Sequence, residues 1–225
     1  MNIASKEIIR VFPDGKTEKQ EILLLKEHRL LIKVNGQNWC SLVCTEINLM
    51  ELVAGHLLSS GLIEKKDDIK EIRFCETKQK AEVFLHRKAD GAVPLTQLAP
   101  VSFKPEWIFN LAKCFSKESA IHKYTAGTHS CILAREGEPL FIAEDIGRHT
   151  ALDKALGYML LNDIPPESIM LFTSGRVPVD MVEKVIRAGV GILISKSVPT
   201  AESIELAREY GLKLIFRAWQ DSYEE

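Results

Sequence analysis

The chain has 225 residues, of which 46% are hydrophobic and 27% charged, a balance typical of globular domains and unlike disordered or fibrous chains. Lysine and arginine number 29 against 31 acidic residues, so the formal net charge is only −2. Such a chain lacks the overall positive field that gathers nucleic acid or an anionic membrane surface, and neither is expected as a partner. An anionic ligand would have to be held by a local cluster of donors.

Cysteine usage and the opening segment predict the cellular compartment. The chain contains five cysteines, an odd number, and residues 1–10 carry charges where a secretory signal needs an apolar core. A reducing, cytoplasmic location with free thiols is therefore expected. No segment approaches the ~18 consecutive apolar residues of a transmembrane helix, so no membrane association is expected.

The first hundred residues predict a small β-rich region with one helix. Apolar segments separated by turn residues indicate strands at residues 7–12, 21–44, 68–76 and 80–88. Asn35-Gly36 is a strong hairpin signal within the second of these segments. A helix is predicted to begin after Thr45, whose hydroxyl is an N-cap candidate, and to run to Gly61 with its apolar residues on one side. Residues 1–100 are assigned to this N-terminal region.

Residues 101–225 predict a layered α/β domain. After a loose stretch at 89–102, Pro105 begins a helix, and from about Lys123 onward strands and helices alternate. The predicted strands lie at residues 131–135, 140–145, 168–174, 190–196 and 212–218, and the predicted helices at 148–161, from about 178, and at 200–210. Most of these strands are continuous apolar runs, as expected when helices cover both faces of a parallel sheet.

Polar residues follow successive strands of the predicted sheet, where a ligand is expected to bind. In open α/β sheets, ligands bind outside the carboxyl ends of parallel strands, near the amide-rich N-termini of the following helices. Arginines beside helix N-termini suit a phosphate-bearing ligand. The alternative is that each cluster only caps its helix. The candidate residues at these strand ends are Asp145, Arg148, His149, Ser174, Gly175, Arg176, Ser195 and Arg217.

The segment from Thr125 to Cys131 is expected to reach the same crevice. It precedes a strand, and Gly127 within it permits a positive φ, so Thr128 and His129 are candidate ligand contacts. Cys131 is the cysteine nearest the crevice and is the best candidate for a reactive thiol, although a small buried residue at a strand start explains it equally well.

His149 has a structural alternative to ligand binding. It lies four residues before Asp153 on the predicted helix, so a local ion pair is its structural interpretation. Neither a Walker-type phosphate loop nor a G-x-G-x-x-G fingerprint is present, which excludes the two commonest nucleotide-binding motifs.

Four segments together carry a resemblance to a known family. Residues 125–131 resemble the motif T-G-G-T-H-A-A, and residues 144–154 match E-D-V-G-R-H-x-A-x-D-K with Ile146 in place of valine. Residues 174–181 resemble S-[SG]-R-x-S-x-E-M, and the helix at 46–61 resembles L-E-x-L-x-x-G-F-L-x-S-E-G with departures at His56 and Ser60. On these motifs the chain resembles the FdhD/NarQ family, the formate dehydrogenase accessory proteins, over nearly its whole length.

The resemblance implies a fold and a function. The fold would be a cytidine-deaminase-like three-layer α/β domain with an N-terminal β-rich α+β extension. Members of the family are understood as sulfurtransferase-like sulfur carriers in molybdenum cofactor biosynthesis. They take sulfur from a cysteine desulfurase and pass it to the molybdenum bis-molybdopterin guanine dinucleotide cofactor, before the cofactor enters the formate dehydrogenase catalytic subunit. GDP is then expected to bind as a cofactor analogue, with the cofactor held as cargo; a homodimer is left open.

One departure from the family leaves two functions open. The family's sulfur-carrying loop contains C-x-x-C, whereas the corresponding residues 87–113 contain no cysteine. Either Cys131, Cys114 or another thiol carries the sulfur, or the chain is a chaperone that binds the cofactor and hands it on without covalent chemistry. A zinc deaminase is a third alternative from the fold analogy, but it requires H-x-E and P-C-x-x-C, which this chain lacks, so no metal site is predicted.

Overall fold

A computed structural model describes residues 3–86, 91–118 and 120–225. The strands are Ile3–Val11 (β1), Thr17–Leu25 (β2), His28–Val34 (β3), Gln37–Cys44 (β4), Ile69–Phe74 (β5), Lys80–Leu85 (β6), His129–Arg135 (β7), Glu138–Asp145 (β8), Met170–Thr173 (β9), Ile192–Ser195 (β10) and Lys213–Ile215 (β11). The α-helices are Leu49–Ser59 (α1), Pro105–Glu118 (α2), Ala120–Thr125 (α3), Arg148–Leu161 (α4), Val179–Arg187 (α5) and Ala201–Glu209 (α6).

The N-terminal strands form two sheets, where the sequence predicts a single small sheet. Strands β1 and β2 pair only with each other as an antiparallel ribbon, and the other four form a sheet in the order β4-β3-β6-β5. The division follows the apolar pattern. Alternate residues of β3 are buried, because one face of that sheet packs on the core, whereas β1 and β2 are largely exposed on both faces. The predicted hairpin at Asn35-Gly36 is confirmed, with both residues at positive φ.

The C-terminal sheet has five strands in the order β11-β10-β9-β7-β8 and helices on both faces. Buried residues of α2 pack on one face, and those of α4, α5 and α6 on the other. The predicted α/β class is confirmed, while the more specific likeness to cytidine deaminases stays a prediction. The sheet is mixed, not wholly parallel: β9, β10 and β11 are parallel, but β7 and β8 form an antiparallel hairpin through Glu136-Gly137.

Helices α1 and α4 join the N-terminal strands to the C-terminal sheet. A Cβ placed on Gly55 would lie 1.7 Å from the backbone oxygen of Asp153, and one on Gly157 would lie 1.8 Å from that of Glu51, so the two helix backbones touch. The larger hydrophobic cluster therefore continues across residue 100, and the division into domains at that point stays a prediction. Within the described residues, no helix combines the length and apolar character needed to cross a membrane.

The start of α1 differs from its prediction. The helix begins at Leu49, after Asn48 in the left-handed conformation with a φ of 53°, and Thr45 is not its cap. Thr45 is buried, and its hydroxyl oxygen lies 2.8 Å from Lys154 Nζ on α4. Thr45, which was predicted to cap α1, therefore makes a polar contact with a helix that is distant in sequence.

Candidate functional site

The candidate site lies at the edge of the five-stranded sheet where the parallel strands end. Because β7 runs antiparallel to β9, its first residues lie at the same edge as the last residues of β9. At this edge His129 of β7 also pairs with Asp145, the last residue of β8. An open cavity of about 340 Å³ lies here. Its lining residues are His122, Ala126, Gly127, Thr128, His129, Ile146 and Ser174.

His129 and Ser174, predicted from separate segments, meet in this cavity. The His129 Nδ1 atom lies 3.0 Å from Ser174 Oγ, and the backbone amide of Ser130 donates to the same oxygen at 3.1 Å. When the serine hydroxyl donates its proton to Nδ1, the neutral imidazole carries its own proton on Nε2. Nε2 is then an available hydrogen-bond donor.

Glu144 positions Thr128 and the start of α3, and sequence reasoning did not include it among the candidate residues. Its carboxylate accepts hydrogen bonds of 3.2 Å from the amides of Ile121 and His122 and from the Thr128 hydroxyl. The His122 ring in turn lies 2.9 Å from the Thr128 carbonyl oxygen through Nδ1. The signal for Glu144 was its position at the end of a strand inside the most specific motif.

Arg148 is the candidate whose surroundings point most directly to an anion. A Cβ on Gly175 would lie 2.8 Å from Arg148 Cβ and Cδ, so Gly175 allows the side chain to pack against the turn after β9. The Nε atom of Arg148 is buried and has no hydrogen-bond partner among the described residues. An unpartnered buried donor is costly, and a bound oxyanion would satisfy it. The N-cap residue of α4 is Gly147, which has no side chain to accept hydrogen bonds from the first amides of the helix.

Two imidazoles of the site are held neutral near physiological pH. Burial lowers the pKa of His129 below its usual value, and the charge of Arg148 lowers it further. Burial also lowers the pKa of His149, against the opposing effect of Asp180, whose Oδ2 lies 3.5 Å from His149 Nδ1. The alternative pairing of His149 with Asp153 is wrong: among the described residues the His149 ring pairs with Asp180, and the Asp153 carboxylate pairs with His56 and Lys184.

Sulfate binding is expected to strengthen as the pH falls through and below about 6.5, the usual histidine pKa. The neutral imidazoles take up a proton only below that value, and a bound anion raises their pKa, so binding is coupled to proton uptake. Sulfate keeps its charge across this range. Titration calorimetry from pH 7.5 to 5.5 should give a steeper pH slope for the wild type than for His129→Gln. The exposed control His86→Gln should keep the wild-type slope, and an unchanged slope in His129→Gln would contradict the prediction.

Asp145 has a structural position that contradicts its predicted contact with a ligand. It is fully buried, and its Oδ2 lies 2.5 Å from the Nζ of Lys154, which is also fully buried. The amide of Thr45 donates to both carboxylate oxygens at 3.3 Å. Asp145 therefore ties the end of β8 to α4 and to the segment before α1, out of reach of the cavity.

Of the ten predicted binding residues, only Thr128, His129 and Ser174 line this cavity, so Arg148, His149 and Gly175 lie outside its lining. Three further candidates lie elsewhere near the same edge. Ser195 is buried, and its hydroxyl donates to the Gly175 carbonyl at 2.8 Å, so it holds the turn in place. Arg176 is exposed. Arg217 is exposed as well, and it pairs with Glu224 at 3.0 Å.

The environments of the cysteines contradict the prediction that Cys131 is the reactive thiol. Cys131 is fully buried, and burial raises the pKa of its thiol, which contradicts the accessibility that sulfur carriage requires. Burial likewise raises the pKa of Cys40 to about 11 and that of Cys44 to about 12. Cys75 and Cys114 are partly exposed, and a hydrogen bond with Thr77 lowers the pKa of Cys75. Among the described residues, no group of three or more His, Cys, Asp or Glu side chains is placed to hold a metal.

Comparison with known proteins shows the family to which the chain belongs. The FdhD/NarQ family model matches residues 25–94 and 82–224, so the chain belongs to the FdhD/NarQ family. The sulfur carrier protein FdhD of Halalkalibacterium halodurans is 30% identical over 93% of this chain and 87% of its own length. The protein of the same name from Bacillus licheniformis is 30% identical over 95% of this chain and 91% of its own.

A solved structure has the same fold over the whole chain. A Desulfotalea psychrophila protein, described as a candidate formate dehydrogenase accessory protein, superposes with a TM-score of 0.89 at 25% identity. The match covers 100% of this chain and 96% of that one. The predicted family resemblance is thereby confirmed.

Proposed function

We propose that this protein is a sulfur carrier that serves the maturation of formate dehydrogenase. In this role it binds the molybdenum bis-molybdopterin guanine dinucleotide cofactor as cargo and passes to it sulfur received from a cysteine desulfurase. The names of its relatives support the carrier and accessory role. The observation that carries the binding part is the buried, unpartnered Nε of Arg148 beside an open cavity.

Groups in the cavity and beside it suit the phosphate groups of such a cofactor. Arg148 offers a forked guanidinium, and the uncapped N-terminus of α4 offers backbone amides with the positive end of the helix dipole. The neutral His129 adds an Nε2 donor oriented by Ser174. These groups bind and orient an anion, and none of them needs to change its covalent state.

The sulfur step needs an accessible thiol, and we assign it to Cys75 or Cys114 in place of Cys131. A carrier thiolate attacks the terminal sulfur of the desulfurase persulfide, and the sulfur–sulfur bond of that persulfide breaks. One sulfur atom moves to the carrier cysteine, while the desulfurase cysteine leaves as a thiolate and takes up the proton released by the carrier. Both candidates are partly exposed, and the lowered pKa of Cys75 favours its thiolate.

A cofactor chaperone without sulfur transfer is the second candidate function. It is favoured by the absence of cysteine from residues 87–113 and by the complete burial of Cys131. Such a protein would use the same anion-binding edge and would need no reactive thiol.

Incubation with a cysteine desulfurase and L-cysteine is expected to make the protein heavier by one sulfur atom in intact-mass spectrometry. The adduct should be lost on treatment with a reductant. One of the two variants, Cys75→Ser or Cys114→Ser, should no longer form it. Omission of L-cysteine and the buried-site variant Cys131→Ala are the controls. An adduct on neither thiol would reject the carrier function and leave the chaperone function.

A further inference from the structure

Another cavity lies at the opposite edge of the five-stranded sheet, where β9 and β10 begin and β7 ends. Its volume is about 360 Å³, and it lies on the face of the sheet that α2 covers. The apolar side chains that line it include Val101, Trp107, Met170 and Ile192. The candidate site described above uses none of the residues that line this cavity.

Two glycines allow the walls of this cavity to pack directly on the strand ends. A Cβ on Gly137 would lie 2.8 Å from the Trp107 Cα atom, so the first turn of α2 rests on the turn between β7 and β8. A Cβ on Gly191 would overlap the Val101 side chain, so the segment before α2 lies against the start of β10. The cavity is therefore bounded by close backbone packing as well as by side chains.

Arg135 is the cation that lines the cavity, and its orientation is fixed through one nitrogen. Its Nε donates to the Ser168 hydroxyl at 3.2 Å, and that hydroxyl donates to the Pro165 carbonyl at 3.0 Å. Among the described residues, the two terminal nitrogens of Arg135 have no hydrogen-bond or ion-pair partner. A guanidinium group in this state can bind a carboxylate through two parallel hydrogen bonds.

Two carboxylates, those of Glu136 and Glu167, line the same cavity beside Arg135 and Ser168. Glu136 has a φ of 50° in the turn between β7 and β8, so the turn determines its position. Within the part of the chain that the structure describes, neither carboxylate has an ion-pair partner. The cavity therefore combines one cation and two anions at its rim with an apolar floor.

We propose that this cavity binds a free α-amino acid with a large apolar side chain. The ligand carboxylate pairs with Arg135, its ammonium group lies between Glu136 and Glu167, and its side chain packs against Trp107 and Met170. The volume is within the range of small-molecule sites. The assignment does not rest on the proposed function.

The arrangement of charges favours a free amino acid over a peptide. A free amino acid carries a carboxylate, an ammonium group and a side chain on one carbon atom. A residue inside a peptide carries neither backbone charge, and a terminal residue carries only one of them, so a peptide leaves part of the rim unpaired. Among the described residues that line the cavity there is no cysteine, histidine or lysine, so the proposal concerns binding alone.

NMR titration with L-phenylalanine tests the assignment. The chain has three tryptophans, and the indole N–H signal of Trp107, assigned with Trp107→Phe, should shift in a saturable manner. The signals of Trp39 and Trp219 should stay in place. Glycine should bind at least about tenfold more weakly because it has no apolar side chain to bury. D-phenylalanine should also bind at least about tenfold more weakly, since it cannot place all three groups at once.

Paired ligands and variants test the role of each charge. Arg135→Gln should weaken L-phenylalanine binding by about tenfold and leave the weaker binding of L-phenylalaninamide, which has no carboxylate, unchanged. The double variant Glu136→Gln/Glu167→Gln should weaken L-phenylalanine by a similar factor and leave N-acetyl-L-phenylalanine, which has no ammonium group, unchanged. The exposed Arg29→Gln and Glu18→Gln are matched controls and should keep wild-type affinity for every ligand.

Four outcomes would reject this site. They are the absence of a saturable Trp107 shift up to about 10 mM L-phenylalanine, equal affinity for the two enantiomers, a shift of the Trp219 signal in place of that of Trp107, and an equal loss of binding in the control variants. The charged side chains changed in the variants are exposed, so each variant should keep the wild-type unfolding temperature. If L-phenylalanine binds as expected but no sulfur adduct forms, the amino-acid site stands and the carrier function is rejected.

Discussion

Replacing Lys154 by methionine is expected to lower the free energy of unfolding by about 3–5 kcal/mol, because it leaves the Asp145 carboxylate buried without its cation. Both side chains are fully buried, and Lys154 Nζ also lies 2.8 Å from the Thr45 hydroxyl. Methionine keeps most of the volume of lysine, so the loss measures the charge and its hydrogen bonds more than a cavity. Urea denaturation followed by circular dichroism is the measurement.

A double variant separates the unpaired charge from the loss of the ion pair. Asp145→Asn with Lys154→Met removes both charges, and it should recover a large part of the stability lost in the single variant. The exposed Lys70→Met is the matched control and should change stability by less than about 0.5 kcal/mol. A loss of less than about 1 kcal/mol in Lys154→Met would contradict the structural role of the pair.

Arg148→Ala is expected to weaken both GDP and pyrophosphate binding by about 10- to 100-fold, since hydrogen bonds to charged groups contribute ~1.5–3 kcal/mol. Its buried Nε has no partner among the described residues, so removing the side chain takes away a donor that only the ligand satisfies. Arg148→Lys keeps the charge but loses the fork, and it should bind with intermediate affinity. Titration calorimetry provides the affinities.

The exposed Arg29→Ala, on β3, is the control for a general loss of positive charge, and its affinities should remain those of the wild type. Equal affinity in Arg148→Ala and the wild type for both ligands would remove the phosphate assignment.

The convergence of Thr128, His129 and Ser174 at one cavity was predictable from the sequence. Apolar runs locate the strands, strand direction follows from the turn between β7 and β8, and the ends of adjacent strands must then lie together. The bounds of α4 were also predicted correctly, since its apolar pattern begins directly after a polar strand end. These features depend on local pattern and topology.

The burial of individual residues could not be predicted from the same sequence pattern. Cys131 follows His129 by two residues on β7, so both side chains lie on one side of the sheet, but Cys131 lies one step further under α4 and is fully buried. Asp145 was predicted to contact a ligand because it ends a strand. The local sequence does not show that its partner, Lys154, lies on a helix packed against that strand end. Adjacency in sequence gives direction along a strand, but which helix covers each position is decided by tertiary packing.

The polar cluster around Asp153 could not be predicted from the local sequence either. Burial alone would raise the pKa of Asp153, but Lys184 and His56 hold it at about 2. His56 Nδ1 lies 2.8 Å from the carboxylate and Ser59 donates to it at 2.7 Å, across about a hundred residues of chain. His56 departs from the family motif, and its contact with Asp153 gives that departure a structural explanation that no local pattern contains.

The backbone contact between α1 and α4 has a consequence for the order in which the protein assembles. Gly55 and Gly157 touch across helices whose synthesis on the ribosome is separated by about a hundred residues. Until α4 emerges, the face of α1 that packs on α4 has no partner, and the strands already made enclose only part of the hydrophobic core. Folding of the N-terminal half must therefore wait for the C-terminal half, which makes nascent chains shorter than about 160 residues natural clients of chaperones.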